Sequence, residues 1–270
     1  MTSPSVTASS SPHGPMLECV DVERRFGGLV AVTGVNFQIQ RGEIFGLVGP
    51  NGSGKTTLTN AITGFYPPQK GRILLDGKDI TGTAPHAVAR MGVARTFQNL
   101  ALFNGMSVLD NILLGRHVHM KPGVLRTAFY SWLSRDEEIK HRQLVEETID
   151  FMQLQGVRDE MVDAIPIGLK KRVELARALV AEPRFLILDE PMAGMNQEEK
   201  EYMARFVLDA RDERGVTVLL IEHHMDIITG ICDRMLVLSY GEVIGTGIPR
   251  EVIKDPRVIK AYIGGAKDAT

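Results

Sequence analysis

The sequence has only two cysteines, Cys19 and Cys232, in 270 residues. That is too few for a disulfide framework and suits a reducing compartment. No apolar run approaches the roughly 18 residues that a membrane-spanning helix needs. The most hydrophobic stretches, residues 185–188 and 216–221, are short and end in charge, as buried strands do. Neither sign of charge dominates. The 31 basic and 33 acidic residues leave a net charge of −2, so no global field recommends nucleic acid or an anionic membrane as a partner. Residues 1–15 hold Ser, Thr and Pro but no Lys, no Arg and no apolar block. This excludes a conventional signal peptide and predicts a disordered tail. The chain is therefore expected in the cytosol, with any membrane association arising through partners.

What is present is an ordinary globular composition, 44% hydrophobic and 24% charged, long enough to bury a sizeable core. Residues 17–48 carry short β-type runs. Val35, Phe37 and Ile39 alternate with polar residues as a half-buried strand does, and residues 44–48 are continuously apolar, as a central strand is. A helix is expected over 55–63, then a strand over 72–75 leading into an Asp76-Gly77 turn. In the middle third, Ser107 suits an N-cap for a helix ending at Leu114, and a helical pattern runs from 135 to 154. Between them Val124, Leu125, Ala128, Phe129, Trp132 and Leu133 recur at helical spacing. Alternation then returns: strand 185–188, helix 198–214, strand 217–221, helix 225–231, strand 235–239. This pattern predicts an α/β fold with a mostly parallel sheet, into which a helix-rich segment, about 98–182, is inserted.

Gly49-Pro50-Asn51-Gly52-Ser53-Gly54-Lys55-Thr56-Thr57 fits G-x-x-x-x-G-K-[ST] between an expected strand and an expected helix. Glycines let backbone N–H groups converge on phosphate oxygens, and the helix adds the positive end of its dipole. Lys55 is expected to reach the β- and γ-phosphates of ATP, and the Thr56 hydroxyl to ligate Mg²⁺. Downstream, an apolar strand ends in Asp189 and Glu190, at the carboxyl end where ligands of open α/β sheets sit. Asp189 suits holding Mg²⁺ through water, and Glu190 suits polarising the attacking water. Taken singly, other candidates are less specific. Phe26 fits a core aromatic, Gln98 carries no signal, and His223 and His224 fit a solvated strand end.

Taken in order, the motifs resemble those of the ATP-binding-cassette ATPases, across nearly all of residues 17–264. The resemblance implies a domain over 16–264 between tails of 1–15 and 265–270. It also implies a P-loop NTPase core, an N-terminal antiparallel β subdomain and an inserted helical subdomain. By this resemblance Phe26 stands where an aromatic ring meets adenine. Gln98, in Arg95-Thr96-Phe97-Gln98-Asn99, matches the glutamine that senses Mg²⁺ and the attacking water. His223 matches the switch histidine near the γ-phosphate. The run Gly168-Leu169-Lys170-Lys171-Arg172-Val173-Glu174-Leu175-Ala176-Arg177-Ala178-Leu179 matches the signature motif and its helix. Gly194-Met195-Asn196 corresponds to the loop that crosses to a partner subunit.

Within the family the likeness is to the ATPase subunits of branched-chain amino-acid importers. It is carried by Arg24-Arg25-Phe26-Gly27-Gly28-Leu29, Ala94-Arg95-Thr96-Phe97-Gln98, Ala193-Gly194-Met195-Asn196 and Ile259-Lys260-Ala261-Tyr262-Ile263-Gly264. An extra segment at about 117–132 is typical of that group, and the lipopolysaccharide-export ATPase is shorter there. The resemblance implies integral permease subunits, a second cassette ATPase and, indirectly, a periplasmic solute-binding protein, with no nucleic acid. It places the chain peripherally at the cytoplasmic face of the inner membrane, with residues 98–106 meeting the permease. ATPases of urea or other small-solute importers stand as an alternative, as does a mainly regulatory cassette. One motif departs from the family. Where the signature usually reads Leu-Ser-Gly-Gly-Gln, this chain has Ile165-Pro166-Ile167-Gly168-Leu169. Pro166 lacks the hydroxyl and the N–H of serine, and Leu169 lacks the amide of glutamine. Gly168, the helix N-terminus and the Lys170-Lys171-Arg172 run remain to face phosphate. Because the signature acts on ATP held by the opposite subunit, a heterodimer with a standard partner is expected.

Overall fold

The computed structural model describes residues 14–98, 100–119 and 133–264. The apolar stripe from Val124 to Trp132 and the expected tails, apart from Gly14 and Pro15, lie outside these residues. Two sheets organise the chain. The first contains β1 (Leu17–Phe26), β2 (Leu29–Ile39), β4 (Lys70–Leu75) and β5 (Lys78–Asp79), all antiparallel, in the order β2-β1-β4-β5. The second contains β3 (Ile44–Val48), β6 (Val93–Arg95), β7 (Phe185–Asp189), β8 (Thr217–Ile221), β9 (Arg234–Ser239) and β10 (Glu242–Gly247). Its order is β10-β9-β3-β8-β7-β6, parallel except for β10 at one edge. This is the α/β architecture that the strand and helix alternation predicts.

The strands of the second sheet are short, but β3, β7 and β8 are buried at every position. Alternate side chains therefore enter two different cores. Phe45 and Leu47 join Phe185, Ile187, Leu219 and Ile221 against the antiparallel sheet, where Phe45 stacks on Phe37 at 5.5 Å. Ile44 and Val48 join Leu186, Leu188, Val218 and Leu220 on the opposite face. Each such side chain contributes about 1.5–3 kcal/mol when fully buried, which holds five-residue strands in place.

The second core extends without a break into the helices of the inserted segment. These are α3 (Val108–Leu114), α4 (Leu133–Phe151) and α5 (Ile167–Leu179), which contribute Ile112, Ile149 and Leu175 among others. Ser107 caps α3, accepting from the Asp110 N–H at 3.0 Å. Helix α4 ends three residues before the periodicity does. Gln153 takes a left-handed φ of 52°, and the Leu154 N–H closes back on the Ile149 carbonyl at 2.9 Å. Leu154 still points into the core, which is why it kept the helical spacing. The remaining helices are α1 (Lys55–Ile62), α2 (Pro85–Arg90), α6 (Gln197–Arg214), α7 (Met225–Ile231), α8 (Pro249–Val252) and α9 (Pro256–Gly264). Cys19 and Cys232 are both free and buried, and burial pushes the pKa of both thiols up.

Candidate nucleotide site

The phosphate loop leaves the carboxyl end of β3 and opens α1, and two of its glycines are required by close approach. A Cβ at Gly49, where φ is 153°, would lie 2.2 Å from the Leu238 carbonyl. A Cβ at Gly54, where φ is 106°, would lie 2.5 Å from the Ala31 carbonyl. Asn51, Gly52 and Thr56 are exposed on the loop, Pro50 and Thr57 half-buried, and Ser53 buried. The Ser53 hydroxyl has no hydrogen-bond partner, a cost that a bound phosphate oxygen would remove. No side chain caps α1, which leaves its first-turn N–H groups for a ligand. Lys55 is 7% exposed, and its ammonium donates to the carbonyls of Gly49 at 2.7 Å and Pro50 at 3.0 Å. Burial lowers its pKa, while the nearby Glu190 and Asp189 carboxylates act in the opposite sense.

At the end of β7, Asp189 is buried and accepts from the Arg95 guanidinium at 2.8 Å, and its N–H donates to the Thr96 hydroxyl at 3.2 Å. Arg95 also donates to Asn60 at 2.6 Å and lies over the Phe97 ring. Glu190 follows with a left-handed φ of 50°, unusual for a residue with a side chain and costing about 1–3 kcal/mol. Its N–H donates to the Ile221 carbonyl at 3.0 Å, which holds the turn. Its carboxylate is thereby presented to two partners. The His223 Nε2 lies 2.5 Å from one oxygen, and the Gln98 amide donates to the other at 3.1 Å. Lys55, Gln98, Asp189, Glu190 and His223 thus form one cluster. Phe26 lies outside it, on the antiparallel sheet. It is 40% exposed rather than in the core, edge-on to Tyr66 and beneath the Arg24 guanidinium.

Three groups at the site escaped sequence reasoning. Arg95 had one available signal, a charge within an otherwise apolar three-residue stretch just before Gln98. Thr96 had none. Glu222 is 1% exposed and accepts from the N–H groups of Met192 and His223 and from His224 Nδ1 at 3.0 Å. His224 is expected to be solvated, and its side chain is 40% exposed; its ring also meets Glu222 and Lys200, whose ammonium lies 2.9 Å from Nε2.

The leading end of α5 is different in character. Pro166 is the N-cap residue and supplies no side-chain cap, and Ile167 is 41% exposed. A Cβ on Gly168 would lie 2.3 Å from a Glu199 carboxylate oxygen. The basic run expected to face phosphate is largely tied elsewhere. Arg172 donates to the Met152 and Gln153 carbonyls at the end of α4, satisfying them, and Lys171 is buried.

The donors around the loop are oxygen atoms and amides, which suit a hard divalent cation shared with phosphate. Among the described residues no group of three His, Cys, Asp or Glu side chains forms a metal site of its own. The phosphate loop, the uncapped helix, the orphaned hydroxyl and the paired acids together define a P-loop nucleoside triphosphatase. The chain belongs to the ABC transporter family, which it matches over residues 32–193, and is one of its ATPases. Residues 242–268 match the branched-chain amino acid ATP-binding cassette transporter family.

The chain is 38% identical to the high-affinity branched-chain amino acid transport ATP-binding protein BraF of Pseudomonas aeruginosa, over 93% of this chain and 99% of that one. It is 37% identical to the corresponding LivG of Escherichia coli, again over 93% and 99%. A nucleotide-free ATP-binding cassette from an ABC transporter superposes with a TM-score of 0.81 at 31% identity, covering 93% of this chain and all of the other. The ADP conformation of a cassette gives 0.79 at 33%, covering 93% and 99%.

Proposed function

We propose that this chain is the ATP-hydrolysing motor of a membrane importer for branched-chain or related amino acids. The observation that carries the motor is the convergence of Gln98 and His223 on the two oxygens of Glu190, beside Lys55. Glu190 accepts a proton from the attacking water, Gln98 orients that water, and His223 holds the carboxylate and faces the γ-phosphate. Lys55 neutralises the β- and γ-phosphates, the loop amides from Gly49 to Thr57 cradle them, and Phe26 stacks on adenine. Thr56, Gln98 and Asp189 would hold Mg²⁺, which when bound neutralises charge on the phosphates. The amino-acid class rests on the relatives and on the match of residues 242–268.

Among the described residues no helix is long and apolar enough to cross a membrane. On this reading permease subunits supply the attachment to the cytoplasmic face, which the transport relatives support. A cavity of about 560 Å³ beside residues 98–106, lined by Phe97, Phe103, Leu114 and Val88, offers an apolar seat for a permease segment. A second cassette of standard signature completes a heterodimer, and a periplasmic binding protein delivers the solute. The experiment is to purify the complex with its permeases, reconstitute it in vesicles, and measure ATP turnover with candidate solutes. Stimulation by leucine, isoleucine or valine is expected. Stimulation by urea alone would move the chain to the urea importers, and no stimulation by any solute would favour a regulatory cassette.

A further inference from the structure

Helix α5 carries three charged side chains at positions i, i+3 and i+6 that the chemistry above leaves unused: Lys171, Glu174 and Arg177. Lys171 is 4% exposed and Glu174 3%, with their charged atoms 3.9 Å apart. A buried ion pair is no more stabilising than a well-packed apolar pair, so its presence asks for another reason. Burial raises the Glu174 pKa, while Lys171 and the Phe97 backbone amide lower it.

What the three side chains grip is backbone on either side of Gln98 and at Glu190 itself. Glu174 accepts from the Phe97 N–H at 3.4 Å, one residue before Gln98. Arg177 donates to the Ala101 carbonyl at 2.6 Å, three residues beyond it. The Lys171 ammonium reaches the carbonyl of Glu190 at 3.5 Å. One face of one helix therefore holds both the Gln98 segment and the Glu190 turn, whose side chains meet at 3.1 Å. Glu174 and Arg177 also line the 560 Å³ cavity, so a segment seated there bears on the same grip.

We propose that the Lys171–Glu174 pair is a positioning device that sets the separation of Gln98 from Glu190 and so tunes water activation. This rests on the reading of Gln98 and Glu190 given above. The two side chains meet each other, the Glu190 carbonyl and the Phe97 amide, none of them in the phosphate loop, so the pair acts on kcat and leaves ATP binding alone.

The test is steady-state ATP turnover of the assembled transporter, with each substitution placed in this chain. Glu174→Gln keeps the shape and an acceptor for Phe97 but unbalances Lys171. It should lower kcat about tenfold, the scale of one charge-assisted hydrogen bond, with KM for ATP unchanged. The neutral double variant Lys171→Gln/Glu174→Gln keeps hydrogen-bonding groups at both positions and should recover most of the loss. In a Gln98→Ala background, Glu174→Gln should cost under about twofold, because nothing remains to be positioned. Where Glu174→Gln does not fold, Glu174→Asp serves in the same cycle. It keeps the charge and withdraws the acceptor by one methylene. A tenfold loss in both backgrounds, or a loss of turnover that only follows the folded fraction, would overturn the pair alone. Wild-type kcat for Gln98→Ala by itself would remove the reading of Gln98 and the proposal with it.

Discussion

On the motor reading the ends of the central strands and the leading end of α5 both meet nucleotide, yet they are furnished very differently. At the strand ends the acids are met, Glu190 by Gln98 and His223 and Asp189 by Arg95, while Ser53 within the loop keeps an unpartnered hydroxyl. At the start of α5 there is a proline, an exposed Ile167 and a half-buried Leu169, and the adjacent Arg172 is consumed by α4. The two regions share a core, so their difference is not one of stability. On the motor reading they serve different ATP molecules. The strand ends serve the nucleotide bound here, and α5 serves the one bound by the opposite subunit. One chain therefore brings a complete half-site and a weak one.

The largest effect that tests this contrast is at the acid. In the assembled transporter, Glu190→Gln should lower ATP turnover by about 10²–10⁴-fold with nucleotide affinity retained, since only water activation is lost. The equivalent substitution in the partner should cost much less. Equal losses from the two subunits would abolish the asymmetry. Next comes Lys55→Ala, which removes a buried charge from the phosphates. It should weaken ATP binding by about 10–100-fold, read by titration of a fluorescent nucleotide. Unchanged affinity would mean that the loop amides alone carry the phosphates.

The smallest effect should come from restoring the weak end. Pro166→Ser with Leu169→Gln should leave ATP affinity of this chain unchanged and raise turnover at the partner's site by a few-fold, about the worth of one or two hydrogen bonds. If the same pair instead raises the turnover of the chain on its own, the chain pairs with itself and the heterodimer is wrong.

Much of this contrast was legible in the residues, though unevenly. The phosphate loop, the apolar strands and the turn at Asp76-Gly77, where φ is 53° and 73°, are local patterns with local causes. β8 matches its expected bounds because it ends at a change from apolar to polar sequence, and α7 matches its own as well. β6 was missed because three residues are too few to show alternation. β10 was missed because an edge strand of half-exposed residues carries no apolar signal.

By itself the sequence determined the fold class, the phosphate loop and the order of the motifs, because each depends on residues within a few positions of one another. Tertiary structure alone decided which charges belong to the site. Arg95 meets Asp189 across 94 positions, Gln98 meets Glu190 across 92, and Glu174 meets the Phe97 amide across 77. A charge run such as Lys170-Lys171-Arg172 reads the same whether it faces solvent or the interior. Only the packing of α5 against the sheet and α4 puts Lys171 in the dark beside Glu174. The physical reason is burial: a buried charge must find a partner, and that partner is fixed by the fold rather than by its neighbours in the chain.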